Sequence, residues 1–396
     1  MAGIGQFLSN YRGIPAQQLL CVFNPVAGSG VSAAFADELQ GHLQSGFRFQ
    51  ENRYETSLLP TVEDRYENIA AIAQKIDSLT QSQRPLTILT MGGDGTLDLV
   101  ISGYLTTLFG SLNALPGLEQ ARIIKRLKES HVRLGIVRSG SANDVGTLYG
   151  SPKPKVGAAT EYLAKSVDAN LHLGMAMVHH EDRNEVWPFV HSFAAGHVFT
   201  PILVDANAGG RRGREAMRWM LRHGLGRIFK KADKRTMHWK RSDGSEGEMA
   251  GQDAMAHALP RLAIAVALPG LTPFEGVGFK IVPETGLAAR LLIGAELFGS
   301  GLLSRMGRLV PLSASARLAT VPESHQMMLN VGEWIEFHYT DSDGRPTDVG
   351  YQVSGDGIGY TKGPIRIQAL PPFERFLMTP GAPIGRLLYK NLVDNR

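Results

Sequence analysis

The chain has almost no cysteine. A single thiol, Cys21, among 396 residues excludes an intrachain disulfide framework and any cysteine-based metal site. Cys21 lies in the apolar run Leu19–Phe23, where a thiol serves as core packing and not as a nucleophile. Long hydrophobic runs are just as scarce. The best candidate, 287–303, is interrupted by Arg290 and Glu296, so no bilayer-spanning helix is expected. The opening Met1–Asn10 lacks a basic start and a sustained apolar region, so no signal peptide is expected. These absences point to a cytoplasmic protein whose membrane contact, if any, is peripheral. Internal repeats and low-complexity tracts are missing too. Apolar content of 43% and charged content of 20% describe a folded protein and not a disordered one. At this length two domains are the natural expectation.

What charge there is sits unevenly. The net charge is +4, yet residues 211–241 hold twelve Lys or Arg against Glu215 and Asp233, leaving 29 basic and 35 acidic residues elsewhere. The basic excess therefore describes one surface. Met217, Trp219, Met220, Leu225, Ile228 and Phe229 are interleaved with the cations, a pattern suited to lying on an anionic membrane. Arg211, Arg212, Arg218, Trp219, Arg222, Lys230 and Lys231 are the candidate contacts. The alternative is a helix packed on its own domain with a solvated basic face. Nucleic acid is not an expected partner, because no aromatic stacking platform or helix-turn-helix pattern accompanies the charge.

Residues 15–160 alternate short apolar runs with helical patterns. Strands are expected at 19–23, 86–91 and 132–137, and helices at 33–43, 65–79, 97–108 and 118–130. That alternation predicts an α/β domain with a mostly parallel sheet, whose ligands bind at the carboxyl ends of its strands. From 161 to 371 the segments 170–178, 187–195, 261–268, 326–329, 333–339 and 365–369 are short and often alternate. Gly and Pro punctuate them, which predicts an antiparallel β-rich domain carrying a basic, initially helical insert at 209–241.

The strand Leu86–Met91 runs directly into Gly92-Gly93-Asp94-Gly95-Thr96. Three glycines in four positions let backbone N–H groups approach an anion without a Cβ in the way. Asp94 places a carboxylate there, able to hold a metal or a ribose hydroxyl. Thr96 offers a hydroxyl near a helix N-terminus, which favours negative charge. A tight strand-to-helix turn also favours glycine and aspartate, so this motif alone decides nothing. Two further expected strands end alike, in Asn24-Pro25-Val26-Ala27-Gly28-Ser29-Gly30 and in Arg138-Ser139-Gly140-Ser141-Ala142-Asn143-Asp144. Three such loops after strands of one sheet should converge on one site.

With these motifs the chain resembles the diacylglycerol kinase catalytic-domain family of lipid kinases, which includes sphingosine and ceramide kinases. The family's Asn-Pro-x-x-Gly segment, Gly-Gly-Asp-Gly-Thr turn and Gly-Thr-Gly-Asn-Asp loop are matched by Asn24–Gly28, Gly92–Thr96 and Gly140–Asp144, in that order. Weaker likeness continues through Val167–Asn170 and Val282–Glu284 to Ser354–Gly357 and Ile365–Ile367. The resemblance implies an α/β nucleotide-binding domain followed by an antiparallel β-sandwich, with residues 372–396 returning to the first domain. It implies ATP and Mg²⁺ in the interdomain cleft, and a lipid hydroxyl as phosphate acceptor. Asn24, Gly28, Gly92, Gly93, Asp94, Gly95, Thr96, Ser141, Asn143 and Asp144 would surround the nucleotide. NAD kinases share the glycine turn, while the Asn-Pro and Asn-Asp segments favour the lipid side.

The departures are specific. The family's general base is the glutamate of an Asp-Gly-Glu motif; here the run is Asp356-Gly357-Ile358, and isoleucine takes no proton. Arg138 and Ala142 replace the usual proline and glycine, and Pro269-Gly270 replaces an Asn-Gly. A positioned base contributes about 10²–10⁴-fold, whereas phosphoryl transfer depends chiefly on positioning and charge neutralisation. The loss therefore predicts a slower enzyme, a relocated base, or a silent nucleotide- or lipid-binding homologue. Asp94 and Asp356 are the expected catalytic carboxylates, with His197 and Asp253 as further substitutes for the base. Neither the lipid nor the oligomeric state is legible.

Overall fold

The computed structural model describes residues 17–44, 54–140, 143–196, 200–210, 219, 235–250, 256–259, 264–266, 326–354 and 356–382. Its first part is built from β1 (Gln17–Phe23), α1 (Val31–Gln44), β2 (Tyr54–Pro60), α2 (Arg65–Thr80), β3 (Leu86–Gly92), α3 (Asp94–Phe109), α4 (Gln120–Glu129) and β4 (Val132–Arg138). The four strands are parallel in the order β2-β1-β3-β4. Every residue of β3 is buried, and all of β1 after Gln17, as inner strands covered on both faces require.

Strand β2 was not among the expected strands. It lies at the sheet edge, is only partly buried, and carries Glu55, Thr56 and Ser57, so it lacks the apolar run that marks its neighbours. Helix α3 also begins three residues earlier than expected, taking Asp94, Gly95 and Thr96 into its first turn. Helix α2 starts where Asp64 accepts a 2.7 Å hydrogen bond from the Glu67 N–H, the usual N-cap arrangement.

Beyond the short helix α5 (Asp144–Leu148) and α6 (Val156–Lys165) come β5 (Val167–His179), β6 (Asn184–Phe189), β7 (Phe193–Ala195), α7 (Thr200–Ala208), β8 (Arg235–Arg241) and β9 (Glu246–Ala250). Strands β10 (Ala256–Leu259), β11 (Ile264–Val266), β12 (Gln326–Met328), β13 (Trp334–Asp341), β14 (Val349–Val353), β15 (Asp356–Thr361) and β16 (Ile365–Met378) follow. The 14-residue β16 unites the first sheet. It runs antiparallel to β5 and β13, and its Phe376 pairs in parallel with Leu134 of β4. The sheet thus continues from β4 through β16 to β13, β8 and β9. A second, antiparallel sheet has the order β12-β11-β10-β7-β14-β15. Trp187, Phe189 and Ile367 of the first sheet and Phe193, Tyr351 and Val353 of the second share one apolar cluster, making the antiparallel part a sandwich.

Two expectations are corrected here. Residues 187–195 are not one strand: the chain leaves the first sheet after Phe189 and enters the second at Phe193. The end of the basic insert is not irregular, because Arg235–Arg241 is a strand paired with β13 and β9. Met237 is buried between more exposed neighbours, and Lys240 takes an exposed, outward position while Arg235 and Arg241 are half-buried. Arg211, Arg212, Arg218, Arg222, Lys230 and Lys231 lie outside the described residues, while Trp219 is helical and half-buried. Among the described residues no helix is long and apolar enough to cross a membrane.

Candidate active site

The three glycine-bearing turns meet at the carboxyl ends of β1, β3 and β4. The Asn24 N–H donates to Met91 O at 3.0 Å, holding the first turn against the end of β3. Asn24 Oδ1 accepts from the Val26 N–H at 3.0 Å, closing an Asx turn. Ser32, in the first turn of α1, donates from Oγ to Ser139 Oγ at 2.7 Å in a buried setting. First and third turns are thereby joined.

The second and third turns touch backbone to backbone. The Gly140 N–H donates to Gly92 O at 3.0 Å. A Cβ at Gly140 would lie 2.4 Å from Gly93 Cα, and one at Gly92 would lie 2.3 Å from Thr96 Oγ1. Both distances are too short for real atoms, so glycine is required at these two positions by proximity alone. Asn143 clamps the third turn from within: its Nδ2 donates to Gly140 O at 2.6 Å and its Oδ1 accepts from the Gly140 N–H at 3.2 Å.

Asp94 is 2% exposed, and its Oδ1 accepts from the Val145 N–H at 3.2 Å. The carboxylate of the second turn therefore holds the first turn of α5, a connection between motifs 51 residues apart. Gly93 is the N-cap of α3 and makes no side-chain cap bond, so the helix presents backbone amides at its start. Thr96 is buried, Gly93 and Gly95 are half-buried, and Gly28 lies in a short 3₁₀ turn, Ala27–Gly30. Asp144 opens α5, while Ser141 and Ala142 lie outside the described residues. Arg138 braces the loop: its N–H donates to Pro152 O at 2.9 Å and its Nη1 to Thr147 Oγ1 at 3.1 Å.

One residue at this site escaped sequence reasoning. Asp98 lies one helical turn beyond Asp94 and is 2% exposed. Its Oδ1 accepts from the Val190 N–H at 2.9 Å, and its Oδ2 from Ser354 Oγ at 2.5 Å. Burial pushes its carboxyl up to about 7, against the lowering effect of Ser354, Val190 and the Arg65 guanidinium. An acid set among Leu97, Leu99, Val100 and Ile101 was the available signal. Arg65 itself stacks on Trp187, its Cζ 3.6 Å from the ring centroid, a cation–π contact. Burial lowers its pKa to about 10, so it stays charged at neutral pH.

The Asp356-Gly357-Ile358 run forms the start of β15, where Asp356 pairs with Val353. Ile358 is partly buried and packs against the sandwich core. His197, Asp253 and Pro269-Gly270 lie outside the described residues.

Residues 18–176, which contain all three turns, match the family described as the diacylglycerol kinase catalytic domain. The match covers 159 of the 396 residues. Its fold is similar to that of a candidate diacylglycerol kinase from Bacillus anthracis str. Sterne, with 15% identity and a TM-score of 0.47, over 93% of this chain and 99% of that one. It is also similar to yeast NADH kinase complexed with NADH, with 10% identity and a TM-score of 0.38, over 97% of this chain and 89% of that one. No curated protein matches the chain.

Proposed function

We propose that this protein is an ATP-dependent lipid kinase that transfers the γ-phosphate to a hydroxyl of diacylglycerol, a sphingoid base or a related lipid. The observation that carries the reading is the knitting of three turns by the Ser32–Ser139, Gly140–Gly92 and Val145–Asp94 hydrogen bonds, within a domain of a lipid kinase family. The close backbone approach of Gly140 to Gly92 and Gly93 brings the second and third turns together, and the N-terminus of α3 adds its dipole. Glycine-bearing turns beside a helix N-terminus suit the phosphates of a nucleotide. Asn24, Gly28, Ser141, Asn143 and Asp144 would complete the nucleotide contacts.

Among the described residues no three His, Cys, Asp or Glu side chains gather to hold a metal. Mg²⁺ carried by ATP needs only one or two carboxylates beside phosphates and water, and Asp94 is the carboxylate that the second turn would offer. When bound, the ion would neutralise charge on the β- and γ-phosphates. The residues of the chain would orient the nucleotide and exclude water. A domain organisation of 15–160 and 161–371, with 372–396 returning to the first, is part of this proposal. So is a cytoplasmic location with the basic segment Arg211–Lys231 on an anionic membrane.

A second reading rests on Ile358: a silent or impaired homologue that binds nucleotide or lipid without turnover. Phosphate transfer from labelled ATP to a panel of lipids separates the two. Transfer by the wild type that Asp94→Asn abolishes supports the kinase. ATP binding with no transfer to any lipid supports the homologue.

A further inference from the structure

Ser354 occupies the turn between β14 and β15, two residues before Asp356, with a φ of +48°. A side chain in this left-handed region is uncommon and costs free energy that glycine would avoid. The turn is held by the Ser354 N–H, which donates to Ser192 O at 2.8 Å. The Ser354 hydroxyl donates to Asp98 Oδ2 at 2.5 Å. Ser354 is half-buried whereas Asp98 is 2% exposed. A half-buried serine thus connects to a carboxylate sealed inside the protein, one helical turn from Asp94. Meanwhile the position of the expected base, Ile358, is packed on the sandwich core.

We propose that Ser354 and Asp98 form the proton relay of this enzyme, in place of the missing glutamate. The inference rests on the kinase reading above. As the lipid hydroxyl oxygen bonds to the γ-phosphorus, its proton passes to Ser354 Oγ, and the serine's own proton crosses to Asp98 Oδ2. The bond between the γ-phosphorus and the β,γ-bridging oxygen breaks and ADP leaves. Asp98 later returns the proton to solvent by the same path.

The surroundings of Asp98 suit that part. Asp94 faces it from its own helix, and the Arg65 guanidinium from α2. The Val190 N–H and Ser354 approach from the sandwich side. Glu185, Tyr66 and Tyr351 in turn act on Arg65. Burial holds the Asp98 carboxyl near 7, where it can both take and release a proton at neutral pH.

The test compares wild type, Ser354→Gly, Ser354→Ala and Asp98→Asn in steady-state transfer to the best lipid acceptor, from pH 5.5 to 9, with ATP affinity measured separately. Glycine suits the φ of this turn and offsets part of the lost bond to Asp98, so Ser354→Gly should remain folded and still lose about 10²-fold or more in kcat. Asp98→Asn should lose a similar factor, with ATP affinity unchanged. The acid limb of the wild-type pH profile, centred near 7, should vanish in all three variants. Wild-type rates and an unchanged pH profile in Ser354→Gly or Asp98→Asn would overturn the relay while leaving the kinase intact. A wild type that transfers phosphate to no lipid would overturn both.

Discussion

Ser32 and Ser139 stand 107 positions apart in sequence, yet their hydroxyl oxygens are 2.7 Å apart in a buried setting. The bond fastens the helix after the first turn to the loop after β4, and so sets the distance between two walls of the site. Removing either hydroxyl weakens the support of the other. Ser32→Ala and Ser139→Ala should each cost about 1 kcal/mol, and the double variant little more than either single one. Urea melts of the four proteins measure this. Losses that simply add would show that the two hydroxyls act independently.

Gly140 makes a harsher prediction. Alanine there would place its Cβ 2.4 Å from Gly93 Cα and 2.5 Å from Gly93 N. Backbone atoms cannot rotate away as a flexible side chain can, so the second and third turns must separate. Gly140→Ala should lower stability by about 1–3 kcal/mol, the usual cost of overpacking, and weaken ATP binding at least tenfold. Calorimetric titration with ATP reads the affinity. Undiminished binding would mean that the nucleotide does not rest against these turns.

Much of this arrangement was legible in the sequence because its signals are local. An apolar run such as Leu86–Met91 followed by Gly, Asn and Asp needs no tertiary information to read as strand and turn. Strand β2 was not legible because an edge position tolerates Glu55 and Ser57. Strand β8 hid behind its cations, with Met237 as the buried residue among them. Asp98 was hardest of all, since its environment is made by Ser354, 256 positions away. A motif reports contacts made within a loop; a buried carboxylate is defined by partners brought from the far end of the chain.

Glu185 links β6 to the second sheet. Its Oε2 accepts from Tyr351 Oη at 2.7 Å and Trp187 Nε1 at 3.2 Å, and its Oε1 from Arg183 Nε at 3.1 Å. Burial alone would raise its pKa, but bonds from Tyr351 and Arg183, the nearby His180 and the bond from Trp187 hold it below the ordinary value. A carboxyl depressed on folding adds stability above its unfolded pKa and loses it as pH falls through the folded one. Tyr351→Phe should therefore cost about 1–3 kcal/mol at pH 7, and progressively less in acid. Thermal melts from pH 3 to 7 check this, and a deficit that grows on acidification would contradict it.

Asp98 predicts the opposite slope. Its carboxyl rises from the ordinary 3.8 to about 7 on folding, so between those values the native state holds a proton that the unfolded chain has released. Stability then falls as pH rises through this window, by up to about 4 kcal/mol at roughly 1.36 kcal/mol per pH unit. Asparagine removes the titration while its amide can accept from the Val190 N–H and donate to Ser354 Oγ. Asp98→Asn should accordingly melt above the wild type at pH 8, with the gap closing toward pH 4. Scanning calorimetry of the two proteins across that range decides it. A gap that does not change with pH would show that burial leaves this carboxyl unshifted, and the acid limb expected of the relay would lose its source.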